Sequence, residues 1–165
     1  MQSVIVVTLV AIPWLVPFSF GPAPVFAALL TSWIAFGFVG NVIGRRPKNE
    51  PNEWIYTLAS GWILAGVVSC CIAYLQYFGI SEGLQPWVSY SKLGEAYANL
   101  RQRNQFATLT NIALAALVLA SIALPHRRQG LWFVAALLAT GNAMSASRTG
   151  LLELGGVAAL TLWWS

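Results

Sequence analysis

Three arginines stand out in this sequence because so little around them is charged. Arg101 and Arg103 fall in Leu100-Arg101-Gln102-Arg103-Asn104-Gln105, and Arg148 falls in Ser145-Ala146-Ser147-Arg148-Thr149-Gly150. Each stretch leads into a long apolar run. A guanidinium keeps its proton at physiological pH and presents a planar fork of donors that matches phosphate oxygens two at a time. Three such groups on one face, without three carboxylates to balance them, point to an anion site. At a membrane surface the natural anion is a lipid phosphate or diphosphate. Two milder readings stand beside this one. Arg101 and Arg103 could anchor in lipid headgroups by snorkelling, and Arg148 could occupy an exposed turn. At mid-membrane an arginine would cost at least about 2.5–3.5 kcal/mol, so such a residue normally faces a cavity or a partner. Asn104, Gln105 and Ser147 adjoin the arginines as candidate supports. The lone amide Gln76, in Tyr74-Leu75-Gln76-Tyr77-Phe78-Gly79, either bonds a neighbouring helix or lines the same cavity. Glu153 either pairs with Arg148 or simply neutralises it, across a spacing that is poor helical geometry.

Other chemistries lack their residues. The single histidine, His126, sits beside Arg127 and Arg128 with no ligand-spaced Cys, His or carboxylate, and reads as a surface side chain. No metal motif, Gly-rich phosphate loop, nucleophile elbow or carboxylate pair is present, so neither metal nor cofactor is expected. No basic run with interleaved aromatics would track a phosphate backbone, which sets nucleic acid aside. Cys70 and Cys71 are neighbours, about 100° apart on a helix, so they read as small apolar residues rather than a disulfide.

The elements that must position the arginines are membrane helices. Of 165 residues, 58% are hydrophobic and 8% charged, against about 25% charged in a soluble domain, and the mean hydropathy is +0.67. The expected fold is all-α: one polytopic transmembrane helical bundle of five to six spans. A span takes about 20 apolar residues, which places spans near 3–20 (bent by Pro13 and Pro17), 25–43, 54–80, 106–124, 131–147 and 151–165. Gly21-Pro22-Ala23-Pro24 is a tight turn. The stretch from 131 onward would be about 50 Å as one helix, too long for a hydrocarbon core of about 30 Å, so it breaks at the Ser-Arg-Thr-Gly turn. The last span is short, and the chain is expected to be truncated there. Val25-Phe26-Ala27 resembles a cleavage site, but residues 1–10 carry no Lys or Arg, so the first segment is read as a retained span.

Lys and Arg in short loops set orientation. Arg45, Arg46, Lys48, Arg127 and Arg128 share one side, and Lys92, Arg101, Arg103 and Arg148 the other. With the first set inside, the N-terminus is cytoplasmic and the loop 81–103 periplasmic. Within that loop Tyr90, Leu93, Tyr97 and Leu100 recur at helical spacing, the pattern of an amphipathic helix lying on the membrane. Gly40 and Gly44 form a GxxxG, which predicts close helix packing in the second span.

At the arginine stretches the sequence resembles a known family. Residues 98–109, around Arg101-Gln102-Arg103-Asn104-Gln105, are similar to the segment that opens a helix in bacterial protein O-oligosaccharyltransferases, the pilin-glycosylating relatives of O-antigen ligases. Ser145-Ala146-Ser147-Arg148-Thr149-Gly150 looks like the Ser-Arg turn of that superfamily. Leu75-Gln76-Tyr77-Phe78-Gly79 looks like its Gln-aromatic-Gly helix end, and Pro13-Trp14-Leu15-Val16-Pro17-Phe18 like its opening. The resemblance implies a multi-pass enzyme of the bacterial inner membrane. Such an enzyme moves a glycan from an undecaprenyl-diphosphate carrier to a hydroxyl of a pilin-like protein or to a lipid A core sugar. By matching position, Arg101, Arg103 and Arg148 would contact the diphosphate, with Asn104, Gln105, Gln76 and Ser147 as cavity supports. Family members continue beyond the Ser-Arg turn with further spans and a loop bearing the histidine that acts in transfer. The chain is therefore expected to be the N-terminal half of such an enzyme, inactive alone and without a catalytic residue of its own. The alternatives are a small complete membrane protein that binds anionic lipid or assists a complex, and a transporter fragment.

Overall fold

A computed structural model describes residues 2–16, 26–44, 53–123 and 128–164. Among these, all regular structure is helical, in six α-helices and two 3-10 turns, with no strand. The helices are α1 (Gln2–Leu15), α2 (Phe26–Gly44), α3 (Glu53–Tyr77), α4 (Arg103–Ala123), α5 (Arg128–Met144) and α6 (Arg148–Trp164). The turn Gly21–Pro24 and the side chains of Arg45, Arg46, Lys48, His126, Arg127 and Arg128 lie outside the described residues. So do Pro17 and Val25, which bear on the first bend and on the cleavage-site likeness.

These helices form because their sequences carry few breakers and are apolar all round. α3 and α4 are long and apolar enough to cross a membrane, over Trp54–Tyr77 and Arg103–Ile122. Only 39% and 44% of those windows are buried inside the protein, whereas the core helix of a soluble domain would be mostly buried. Large apolar side chains such as Trp33, Phe36, Trp132, Leu152 and Trp163 stand exposed on α2, α5 and α6. That surface suits lipid. Within α1 and α2, Ser3–Leu15 and Leu30–Val42 are apolar but shorter. Pro13 falls in the last turn of α1, which ends at Leu15.

α3 and α4 form the centre. α1 packs on α3, α2 on the outside of α1, α5 on both central helices, and α6 on α4. Neighbouring residues fix the directions. Gly66 meets Ala113 and Leu138, while Gly141 meets Cys70 and Phe106. Thus α4 runs antiparallel to α3, and α5 parallel to it. Side chains of Cys70, Ala73, Phe106, Ala113 and Leu138 form the main core, and Ala11, Ala65 and Leu109 a second one beneath Trp14 and Trp62. The Trp14 and Trp62 rings meet edge to face at 5.2 Å. Cys70 is buried and Cys71 exposed, and both are free.

Glycine does make the close contacts, but at other positions than expected. Among the described residues Gly40 and Gly44 have nothing within 4 Å of where a Cβ would stand, so the GxxxG of α2 is not a packing seam against any described helix. At Gly61 a Cβ would lie 2.8 Å from Val10, and at Gly66, Gly141 and Gly150 it would collide with Ala113, Cys70 and Ala107. The α1–α3, α3–α4–α5 and α4–α6 seams run over those four residues.

The connection from α3 to α4 also differs from its sequence pattern. Residues 90–100 do not form an amphipathic helix. The segment is irregular, with 3-10 turns at Ile80–Leu84 and Ala98–Leu100. Gly94 adopts a left-handed φ of 79° and donates its N–H to the Tyr77 carbonyl at 3.1 Å. A backbone donor drawn to α3 is not available to a helix.

Candidate functional site

Two amides shape the segment that delivers Arg101. Gln76, fully buried at the end of α3, donates to the Ser89 and Ala98 carbonyls (2.9 and 2.8 Å) and accepts from the Tyr97 N–H (3.1 Å). Asn99 donates to the Leu15 and Trp87 carbonyls (3.1 and 3.0 Å) and accepts from the Ser89 N–H (3.0 Å). An irregular backbone near lipid needs its polar groups satisfied, and side-chain amides offer a donor and an acceptor together. Gln76 therefore holds the loop rather than facing open space. Asn99 does the same for the stretch that leads to Arg101. The hinge is strained: Ala98 and Arg101 have φ of 52° and 58°, left-handed values that cost a non-glycine residue about 1–2 kcal/mol.

α4 begins at Arg103 rather than at Phe106, so Arg103, Asn104 and Gln105 form its first turn. α5 ends at Met144. The Ser145–Ala146–Ser147 turn, with Ala146 left-handed at φ 50°, then places Arg148 as the first residue of α6. Ser147 donates its hydroxyl to Asn104 Oδ1 at 2.9 Å and accepts from the Gly150 N–H at 3.0 Å. This contact sets the first turns of α4 and α6 side by side. Both helix starts lack acidic residues, and both open on arginine. The free N–H groups of a helix start carry partial positive charge, so arginine there is unfavourable unless an anion joins it.

Arg101, Arg103, Asn104, Gln105 and Arg148 are all exposed, and Ser147 is buried at 8%. Arg103 pairs with Glu95 at 3.0 Å, a half-exposed contact of small worth. Among the described residues no carboxylate pairs with Arg101 or Arg148. Tyr97 donates its hydroxyl to the Tyr90 carbonyl at 2.8 Å, and burial, then the nearby Glu95 charge, raise its pKa, so the phenol stays a donor. Asn104 and Gln105 also line a cleft of about 340 Å³ with Pro13, Trp14 and Leu100, between α1, α2 and α4. The apolar groove of about 510 Å³ between α4 and α6, lined by Val118, Ile122, Val157 and Leu160, lies toward the other helix ends and has no charged side chain. Among the described residues no three His, Cys, Asp or Glu side chains could hold a metal ion.

Below the arginines lies a polar layer that the sequence pattern did not single out. Asn142 of α5, 3% exposed, donates to Asn111 Oδ1 (3.0 Å), Thr110 Oγ1 (2.9 Å) and the Ala107 carbonyl (3.2 Å). Asn111 of α4, 4% exposed, donates to the Gly150 carbonyl (2.9 Å) and to Glu153 Oε2 (3.1 Å) of α6. Thr108 donates to Glu153 Oε1 at 3.1 Å. The Glu153 carboxylate thus faces α4 and does not pair with Arg148. The available signal was the presence of amides in the middle of apolar helices, where each must find a partner.

A family model described as protein glycosylation ligase matches residues 96–119. The match is short and partial, about a seventh of the chain. It covers Arg101, Arg103, Asn104, Gln105 and the α4 part of the polar layer. No curated protein and no solved structure matches the chain.

Proposed function

We propose that this chain is the carrier-binding part of a membrane glycosyltransferase akin to protein glycosylation ligases. Its substrate in this reading is a glycan on undecaprenyl diphosphate, and the acceptor is a hydroxyl of a pilin-like protein or a sugar of the lipid A core. One observation carries the reading. Two helices that both open on arginine are tied together at their first turns by the Ser147–Asn104 contact, with Arg101 delivered beside them on a strained turn. Such an arrangement has positive charge to spare and fits a diphosphate.

In the transfer, an acceptor oxygen attacks the anomeric carbon, the bond from that carbon to the diphosphate oxygen breaks, and the lipid diphosphate departs with the charge. Arg101, Arg103 and Arg148 bind the diphosphate and stabilise that charge, as preorganised donors do best. Ser147 and Asn104 hold the two arginine-bearing helix starts together, Gln105 lines the adjoining cleft, and Gln76 holds the loop. The chain lies in the bacterial inner membrane with five to six spans, its N-terminus inside and residues 81–103 in the periplasm. The exposed apolar surface and the two long apolar helices support this placement. A base outside the arginine cluster takes the proton of the acceptor hydroxyl.

The test is binding of farnesyl diphosphate to the purified chain in lipid nanodiscs, read by calorimetry. Arg101→Ala, Arg103→Ala and Arg148→Ala should each weaken it about tenfold or more. A triple variant that binds as tightly as the parent sinks the reading. A second reading, general anionic-lipid binding, draws on the exposed Trp87, Tyr90 and Leu93 of the loop. It gains if phosphatidylglycerol competes as well as the diphosphate does.

A further inference from the structure

The polar layer below the arginines does work that packing alone does not require. Two helices in lipid associate well through small residues, and the Gly150–Ala107 contact already supplies that between α4 and α6. Buried amides and a carboxylate are costly there unless each is paired. Yet a continuous chain of hydrogen bonds runs from Asn142 on α5, through Asn111 on α4, to Gly150 and Glu153 on α6. Thr108 closes it on the second carboxylate oxygen.

Geometry gives the chain its consequence. Glu153 follows Arg148 on α6, and it is the nearest carboxylate in sequence that could cancel the arginine. Thr108 and Asn111 take one carboxylate oxygen each and hold the group against α4. The same Asn111 grips the Gly150 carbonyl in the first turn of α6, where Arg148 stands. A slide of one residue, about 1.5 Å along the axis, or a turn of about 100° would break these bonds together. The register of α6, and so the place of Arg148, is fixed from below.

We infer that Thr108 and Asn111 are positioning residues for Arg148: by holding Glu153 and the Gly150 carbonyl on α4, they set that guanidinium beside Arg101 and Arg103 and keep it unpaired. Both side chains spend their donors on α6, although Thr108 also borders the cleft lined by Asn104 and Gln105. The inference rests on the diphosphate reading above and names what makes the third arginine available to it.

Thr108→Val keeps the shape and removes only the donor, and Thr108→Ser restores it. Asn111→Leu removes the other donors at similar volume. Farnesyl diphosphate affinity and amide hydrogen exchange of residues 148–153 are measured on the nanodisc-embedded chain. Thr108→Val and Asn111→Leu should each lower affinity about tenfold and speed exchange in 148–153, with exchange in α3 unchanged. Thr108→Ser should restore both. If Asn111→Leu does not fold, the Thr108 pair decides alone. Parent-like affinity in Thr108→Val while Arg148→Ala binds poorly overturns the inference and leaves the diphosphate reading intact. If instead Arg148→Ala binds like the parent, the part of the diphosphate reading that rests on Arg148 falls. Exchange then decides the positioning by itself: faster exchange of 148–153 in Thr108→Val supports it, and parent-like exchange overturns it.

Discussion

At the scale of single residues, the arginines were readable because charge is rare in an apolar chain, and their chemistry suggested an anionic ligand. Their partners were not readable. Glu153 looked like a counter-ion for Arg148, but helical spacing cannot show that Thr108 and Asn111 claim it from another helix. Gln76 was visible as an oddity in an apolar span, yet its three bonds go to backbone that is distant in sequence. Gln76→Leu should therefore leave the buried Ala98 carbonyl without its partner, at about 1–3 kcal/mol. It should also loosen the half-buried Ser89 and Tyr97 backbone groups and expose the 78–100 segment to limited proteolysis. The left-handed residues make a second prediction. Ala146→Gly relieves a φ of 50° and should raise stability by about 0.5–1 kcal/mol, the left-handed strain of alanine less the entropy glycine adds to the unfolded chain. A lower melting midpoint in detergent would contradict it.

Among elements, helix existence followed from apolar runs and their breaks, and the separation of α5 from α6 followed from length alone. Seam glycines and the loop were harder. A GxxxG in sequence states that close approach is possible, not that a partner is there, and among the described residues nothing meets Gly40 or Gly44. The periodic Tyr90, Leu93, Tyr97 and Leu100 failed as a helix because Gly94 turns left-handed and Gln76 and Asn99 draw the backbone to themselves. Gly150→Leu should push α6 from Ala107 and cost about 1–3 kcal/mol, while Gly40→Leu should cost almost nothing. Paired thermal melts of the two variants check this, and equal losses would refute the assignment of the α4–α6 seam.

For the whole molecule, the exposed apolar helices and the two long ones argue for a bilayer around it, with the arginine end at one face. The proposed orientation predicts that a membrane-impermeant amine reagent applied to the periplasmic side of intact cells modifies Lys92 and spares Lys48; the reverse pattern would invert the topology. The Asn99 bond to the Leu15 carbonyl spans 84 residues and joins the end of the first helix to the turn that carries Arg101. In biosynthetic order α1 emerges long before that turn, and its last carbonyl meets its partner only after α3 is complete and just before α4 begins. The shape of the arginine turn is thus completed by a segment made well before it. A fusion tag or a deletion that displaces α1 would be felt at Arg101, even though α1 contributes no chemistry of its own.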